Sequence, residues 1–171
     1  MGGCVPKRLC GRQRNRHRSI LVNNSVFKLK ETSRPHRNSS VDIDELLLYA
    51  SERGDLKKVQ RALAQGADME AMSEEGTPLF RACMKGHLAV AKHLVEQKGD
   101  IEARDMIGFT ALSKSAQVGH RHIVEFLVHA RADIETRNMH GDTPLVNAIY
   151  YGNLDTVRYL VAVGAETEGK G

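Results

Sequence analysis

TPLFRACMKG (77–86), TALSKSAQVG (110–119) and TPLVNAIYYG (143–152) superimpose at a spacing of 33 residues, threonine on threonine and glycine on glycine. A fourth stretch, LLLYASERG, ends at Gly54, 32 residues before Gly86, so one residue is missing between them. The gap is locatable: Gly108-Phe109-Thr110 and Gly141-Asp142-Thr143 carry a spacer that Gly76-Thr77 lacks. Each glycine opens a second block: DLKKVQRALAQGAD, HLAVAKHLVEQKGD, HRHIVEFLVHARAD and NLDTVRYLVAVGAE. Apolar residues recur there at helical offsets, as at Val90, Leu94 and Val95, or Ile123, Val124, Leu127 and Val128. Each unit therefore reads as two short helices. Thr77-Pro78 and Thr143-Pro144 are N-caps followed by N1 prolines. Gly86, Gly119 and Gly152 supply the left-handed conformation at which a first helix can stop.

Repeats at this period mean a stacked array, because a helix pair of this size cannot bury its apolar face alone. The motifs G-x-TPL, an Ala-rich turn, G-H-L-x-x-V and G-A-D resemble ankyrin repeats over roughly residues 42–168. The resemblance implies an all-α solenoid of antiparallel helix pairs with hairpin-like tips and a concave protein-binding face. It implies no catalysis. The expected division is an arm, 1–40, and a repeat domain, 41–171, with repeats near 42–72, 73–104, 105–137 and 138–168.

Departures from the family pattern carry their own expectations. The TPLH histidine is replaced by Phe80, Ser113 and Val146, which removes its hydrogen bonding near the cap. Lys98 and Arg131 stand where Gly66 and Gly164 stand, so those two turns are either strained or differently shaped. Arg121 takes the slot of Leu56, Leu88 and Leu154, half-buried by analogy. Ala50, Ala82, Ser115 and Ala148 form a small-residue column where first helices approach closely, and Cys83 beside it reads as a core thiol. Lys57, Lys58 and Arg61 suit the outer face of a capping first unit, and Thr156 replaces Val90 and Ile123 as a mild capping change in the last.

The net charge of +4 averages two unlike halves. Residues 1–40 hold ten Lys/Arg against Glu31 alone, about +9, and the remainder holds fifteen basic and twenty acidic residues, about −5. The arm begins MGGCVPKR. Gly2 and Cys4 suggest acylation, although Pro6 stands where N-myristoylation wants Ser or Thr. Lys7, Arg8, Arg12, Arg14, Arg16 and Arg18 suit an anionic membrane, a nuclear signal or nucleic acid, or an organellar transit peptide; a disordered arm with no dedicated role is the plainest alternative. No run of about 18 apolar residues is present, nor a signal-peptide core. Three cysteines fit no disulfide framework, so a reducing, cytoplasmic location is expected unless the arm directs the chain to a membrane, nucleus or organelle.

Chemistry is sparse. Cys4, Cys10 and His17, or His120, His122 and His129, match no zinc spacing. No phosphate loop or nucleophile motif occurs. His120 falls in a repeated polar slot with Asp55, His87 and Asn153, where it would serve first-turn N–H groups, and His122 should not face it. Acidic residues between units read as a solvated face. No catalytic residue, metal, cofactor or small-molecule substrate is expected. The expected partner is another protein, weakly favoured to be basic. Its contacts are Phe109, read as exposed, with Met72, Met106 and Met139 at the tips, and Met84, Tyr150 and Tyr151 at the ends of first helices, alongside Gln117.

Overall fold

The structure is a computed structural model, and it describes residues 42–167. Those residues form eight helices: α1 (Ile43–Arg53), α2 (Leu56–Ala64), α3 (Pro78–Met84), α4 (Leu88–Glu96), α5 (Ala111–Val118), α6 (Arg121–His129), α7 (Pro144–Tyr150) and α8 (Leu154–Ala162). Each odd helix packs on the even helix that follows it; α1, α3, α5 and α7 form one layer, and α2, α4, α6 and α8 the other. The all-α repeat architecture follows from the local signals. Thr77, Thr110 and Thr143 accept hydrogen bonds from the N–H groups of Phe80, Ser113 and Val146.

The core is one continuous cluster running through all four units, and the small-residue column Ala50, Ala82, Ser115 and Ala148 is fully buried within it. Cys83 is buried too, and desolvation pushes its thiol pKa up, away from any nucleophilic role. Lys98 and Arg131 adopt φ of 70°, in the same left-handed turn as Gly66 and Gly164. These two turns are therefore strained rather than reshaped, by about 1 kcal/mol each. Ser113 restores polar contact at the lost histidine position, because its hydroxyl meets those of Thr110 and Thr136 within 3.4 Å.

Two features join one unit to the next. The polar slot opening each second helix does not cap its own helix in the last three units: His87, His120 and Asn153 make no side-chain cap bond. They reach backward instead. His87 Nε2 donates to the Glu52 carbonyl, His120 bonds the Met84 backbone, and Asn153 Nδ2 donates to the Ala116 and Gln117 carbonyls. The residue thus serves the orphan C-terminal carbonyls of the preceding first helix. Only Asp55, in the first unit, caps its own helix, accepting from Lys58 N–H.

The second feature is a ladder of carboxylates. Asp68, Asp100 and Asp133 each accept from the N–H two residues on, closing a local turn. Asp44, Glu70, Glu102 and Glu135 then accept from the N–H groups of Asp68, Asp100, Asp133 and Glu166 in turn. Asp68, Glu70, Asp100, Glu102 and Asp133 are exposed, yet they are structural. The D-x-E spacing at 68–70, 100–102 and 133–135 carried that signal in the sequence.

The two ends differ. At the first, Lys57, Lys58 and Arg61 are exposed as a polar face. The last unit departs from expectation. Thr156 is buried, so it caps nothing, and Val146, Ile149, Leu154 and Val161 are exposed. The counterparts of Val146 and Ile149, Ser113 and Ala116, lie buried one unit earlier. Arg121 is also exposed rather than half-buried, paired with Glu125 at 2.7 Å one turn on.

Candidate functional site

The tips before α3, α5 and α7 are tight turns closed by one side chain. Ser73, Asp105 and Asn138 each accept from N–H groups across their tip. The first tip closes between Ser73 and Gly76, the others between Asp105 and Phe109 and between Asn138 and Asp142, so the missing residue lies in the first tip. Neighbouring tips also touch: Met139 N–H donates to the Ile107 carbonyl, and Arg104 Nη1 donates to the Arg137 carbonyl.

Between the last two tips and the ends of α5 and α7 lies a cleft of about 380 Å³. Ile107, Phe109 and Gln117 line it from the third repeat; His140, Asp142, Val146, Asn147, Tyr150 and Tyr151 line it from the fourth. Tyr150 is 82% exposed, and its ring meets that of Tyr151 edge-on, with centroids 5.2 Å apart. A rigid, amphipathic aromatic pair of this kind gives much contact area for little lost conformational freedom.

Of the contacts expected from sequence, Tyr150, Tyr151 and Phe109 come together here, but Phe109 needs correction. It is 4% exposed, not an exposed tip residue. Its N–H is held by the Asp105 carboxylate, and the Lys114 ammonium lies 5.2 Å from its ring centroid. It forms the floor of the cleft. Met72, Met106 and Met139 are exposed on the tips, and Met84 is half-buried; none of the four lines the cleft. Ile107, His140, Asp142, Val146 and Asn147 escaped the sequence reading; the 33-residue spacing of Ile107 and His140 was the available signal.

Cations line the same face in the earlier repeats. Arg53 lies 5.3 Å from the Tyr49 ring centroid and donates to its hydroxyl. Arg81 pairs with Glu52 and Glu75 at 3.1 and 3.2 Å and donates to Ser73 Oγ. Lys114 donates to Gln117 Oε1 at 2.6 Å.

His122 and His129 are exposed, bonded to the Gly86 and Glu125 carbonyls. His120 and His122 do approach, with centroids 5.9 Å apart, because His120 has left helical geometry at the N-cap. Burial, then the His122 charge, lowers the His120 pKa. Among the described residues, no group of three or more His, Cys, Asp or Glu is placed to hold a metal ion, and no helix is long and apolar enough to cross a membrane. Gly2, Cys4 and the basic residues Lys7, Arg8, Arg12, Arg14, Arg16 and Arg18 lie outside the described residues.

Comparison with known proteins gives a consistent result. A family model described as ankyrin repeats (3 copies) matches residues 46–138 and 107–170. Ankyrin repeat domain-containing protein 49 of Bos taurus is 39% identical over 64 residues, 36% of this chain and 27% of that protein. The Homo sapiens protein of the same name is 32% identical over 83 residues, 47% of this chain and 33% of its own length. The chain thus spans a third or less of the relatives it matches.

Proposed function

The chain belongs to the ankyrin-repeat family, and from that premise we propose that it is a non-enzymatic adaptor binding a partner protein through the cleft between its third and fourth repeats. Ankyrin repeats generally mediate protein–protein interaction and typically catalyse nothing. The observation that carries the reading is the Tyr150–Tyr151 pair, largely exposed beside a cleft whose floor is set by buried Phe109. Exposed aromatics over a preformed surface concentrate binding energy while ordering little on association. The cytoplasm, with its reduced thiols, is the compartment that suits this role.

Photo-crosslinking from a benzophenone side chain at Gln117 in the full chain, in cell extract, would identify partners. Each captured partner should bind Tyr150→Ala/Tyr151→Ala at least about tenfold more weakly. A partner bound equally well by that variant places the interaction elsewhere.

The arm supports a second element of the proposal, tethering to an anionic membrane or nucleic acid, on its ten basic residues against one acidic. Loss of acyl incorporation in Gly2→Ala or Cys4→Ser indicates an anchor. Affinity for RNA or DNA that falls steeply with salt, and disappears with Arg8, Arg12, Arg14, Arg16 and Arg18 changed to Gln, indicates an electrostatic arm.

A further inference from the structure

Position 49 in the first repeat is matched by 81, 114 and 147 in the others. In the first three repeats the chain places its own cation on the face formed there: Arg53 against the Tyr49 ring, Arg81 among Glu52, Glu75 and Ser73, and Lys114 over the Phe109 ring. The fourth repeat breaks the pattern. Its residue is Asn147, buried and turned onto its own helix, with Nδ2 donating to the Thr143 carbonyl at 3.1 Å. The groups that would receive a cation remain. Asp142, Tyr150 and Tyr151 line the cleft. Among the described residues, no Lys or Arg forms an ion pair with Asp142; the one hydrogen bond to its carboxylate is a 3.4 Å contact from Asn138 Nδ2. Arg137, the nearest arginine in sequence, donates to the Gly141 carbonyl, and His140 is among the residues that line the cleft.

We infer that the cleft receives an arginine or lysine side chain of the partner protein, whose charge lies between the Asp142 carboxylate and the Tyr150 and Tyr151 rings. A cation over an aromatic face beside a carboxylate is favoured twice over, and partial shielding from water strengthens both terms. Ile107 and Val146, each nearly half exposed, add apolar wall on either side. The recognised segment is therefore a basic residue with aliphatic neighbours. The acidic excess of the repeat region favours the same partner. This inference rests on the cleft being the binding surface, and it names what the cleft binds.

The test uses the full chain with labelled tyrosine rings, titrated in nuclear magnetic resonance with acetyl-Leu-Arg-Leu-amide and with its neutral isostere acetyl-Leu-citrulline-Leu-amide. The arginine peptide should shift the Tyr150 and Tyr151 rings saturably, and the citrulline peptide should bind at least about fivefold more weakly. Asp142→Asn, which retains the shape, should remove that discrimination. Asn147→Lys should block the cleft from within by restoring the cation of the earlier repeats; circular dichroism checks that both variants fold. Equal binding of the two peptides, no ring shift with either, or unchanged binding in a folded Asn147→Lys variant overturns the inference. Binding that appears only after Arg8, Arg12, Arg14, Arg16 and Arg18 are changed to Gln also overturns it, because the chain's own arm is then the occupant. Crosslinked partners that depend on the tyrosines while the arginine peptide fails would leave the adaptor reading intact and sink only this assignment.

Discussion

Gly119 meets two demands at once. Its φ of 86° lies where a Cβ is costly, and an added Cβ would stand 2.5 Å from Asn153 Oδ1. Gly152 has a φ of 73° but nothing within 4 Å of its would-be Cβ. Gly152→Ala should therefore cost about 1 kcal/mol, the conformational term alone. Gly119→Ala should cost clearly more, since the backward-reaching Asn153 must also move. Urea denaturation of the two variants measures the difference; equal losses would mean the side chain yields freely. His120, in the same slot as Asn153, supplies a pH-dependent case. Its pKa is lowered on folding, so the unfolded chain takes up the proton more readily. The stability it preserves is present above the unfolded histidine value, about 6.5, and is lost as pH falls below it. His120→Asn should flatten the part of the stability profile that lies below that value, as followed by thermal melts across pH, with little change at pH 8.

At the level of the element, helices and their ends were legible from sequence because their causes are local. Thr77, Thr110 and Thr143 cap the residues beside them, and Gly54, Gly86, Gly119 and Gly152 terminate the helices they follow. What escaped depends on the neighbouring unit. The slot of His87, His120 and Asn153 was recognised as polar, but its partners are in the previous repeat, beyond any pattern within one repeat. Phe109 was placed at a tip correctly and faced the wrong way, because a one-residue spacer has no periodicity to reveal its buried side. The cleft was half-read for the same reason: the tyrosines stood out by type, whereas Asp142 and Asn147 gain meaning only beside Phe109 and Lys114. The carboxylate ladder is testable at this scale. Glu102→Gln keeps an oxygen that can accept from Asp133 N–H, and should be nearly neutral. Glu102→Ala leaves that N–H to water and should cost about 0.5 kcal/mol, with faster amide exchange at Asp133 as the more sensitive readout.

The whole array has a polar face at one end and an apolar face at the other. Lys58 occupies the first-unit slot that is buried as Val90, Ile123 and Thr156 in the others, while Val146, Ile149 and Val161 stand open at the far side. A repeat array gains stability from each interface it adds. Appending a second copy of residues 135–167 after Thr167 should thus raise the urea midpoint. Inserting the same unit ahead of Asp42 should give little gain unless Lys58→Val accompanies it. Gains of similar size at both ends would show that the charged face is no barrier to stacking. The first tip, one residue shorter than the others, has a consequence of a different kind. The ladder bonds on either side of it, Asp44 to Asp68 and Glu70 to Asp100, are intact, and Thr77 still caps α3. The segment between rung and cap therefore behaves as slack in the chain: its length and lettering can be rewritten, and with them what the surface grips, without retuning the scaffold beneath.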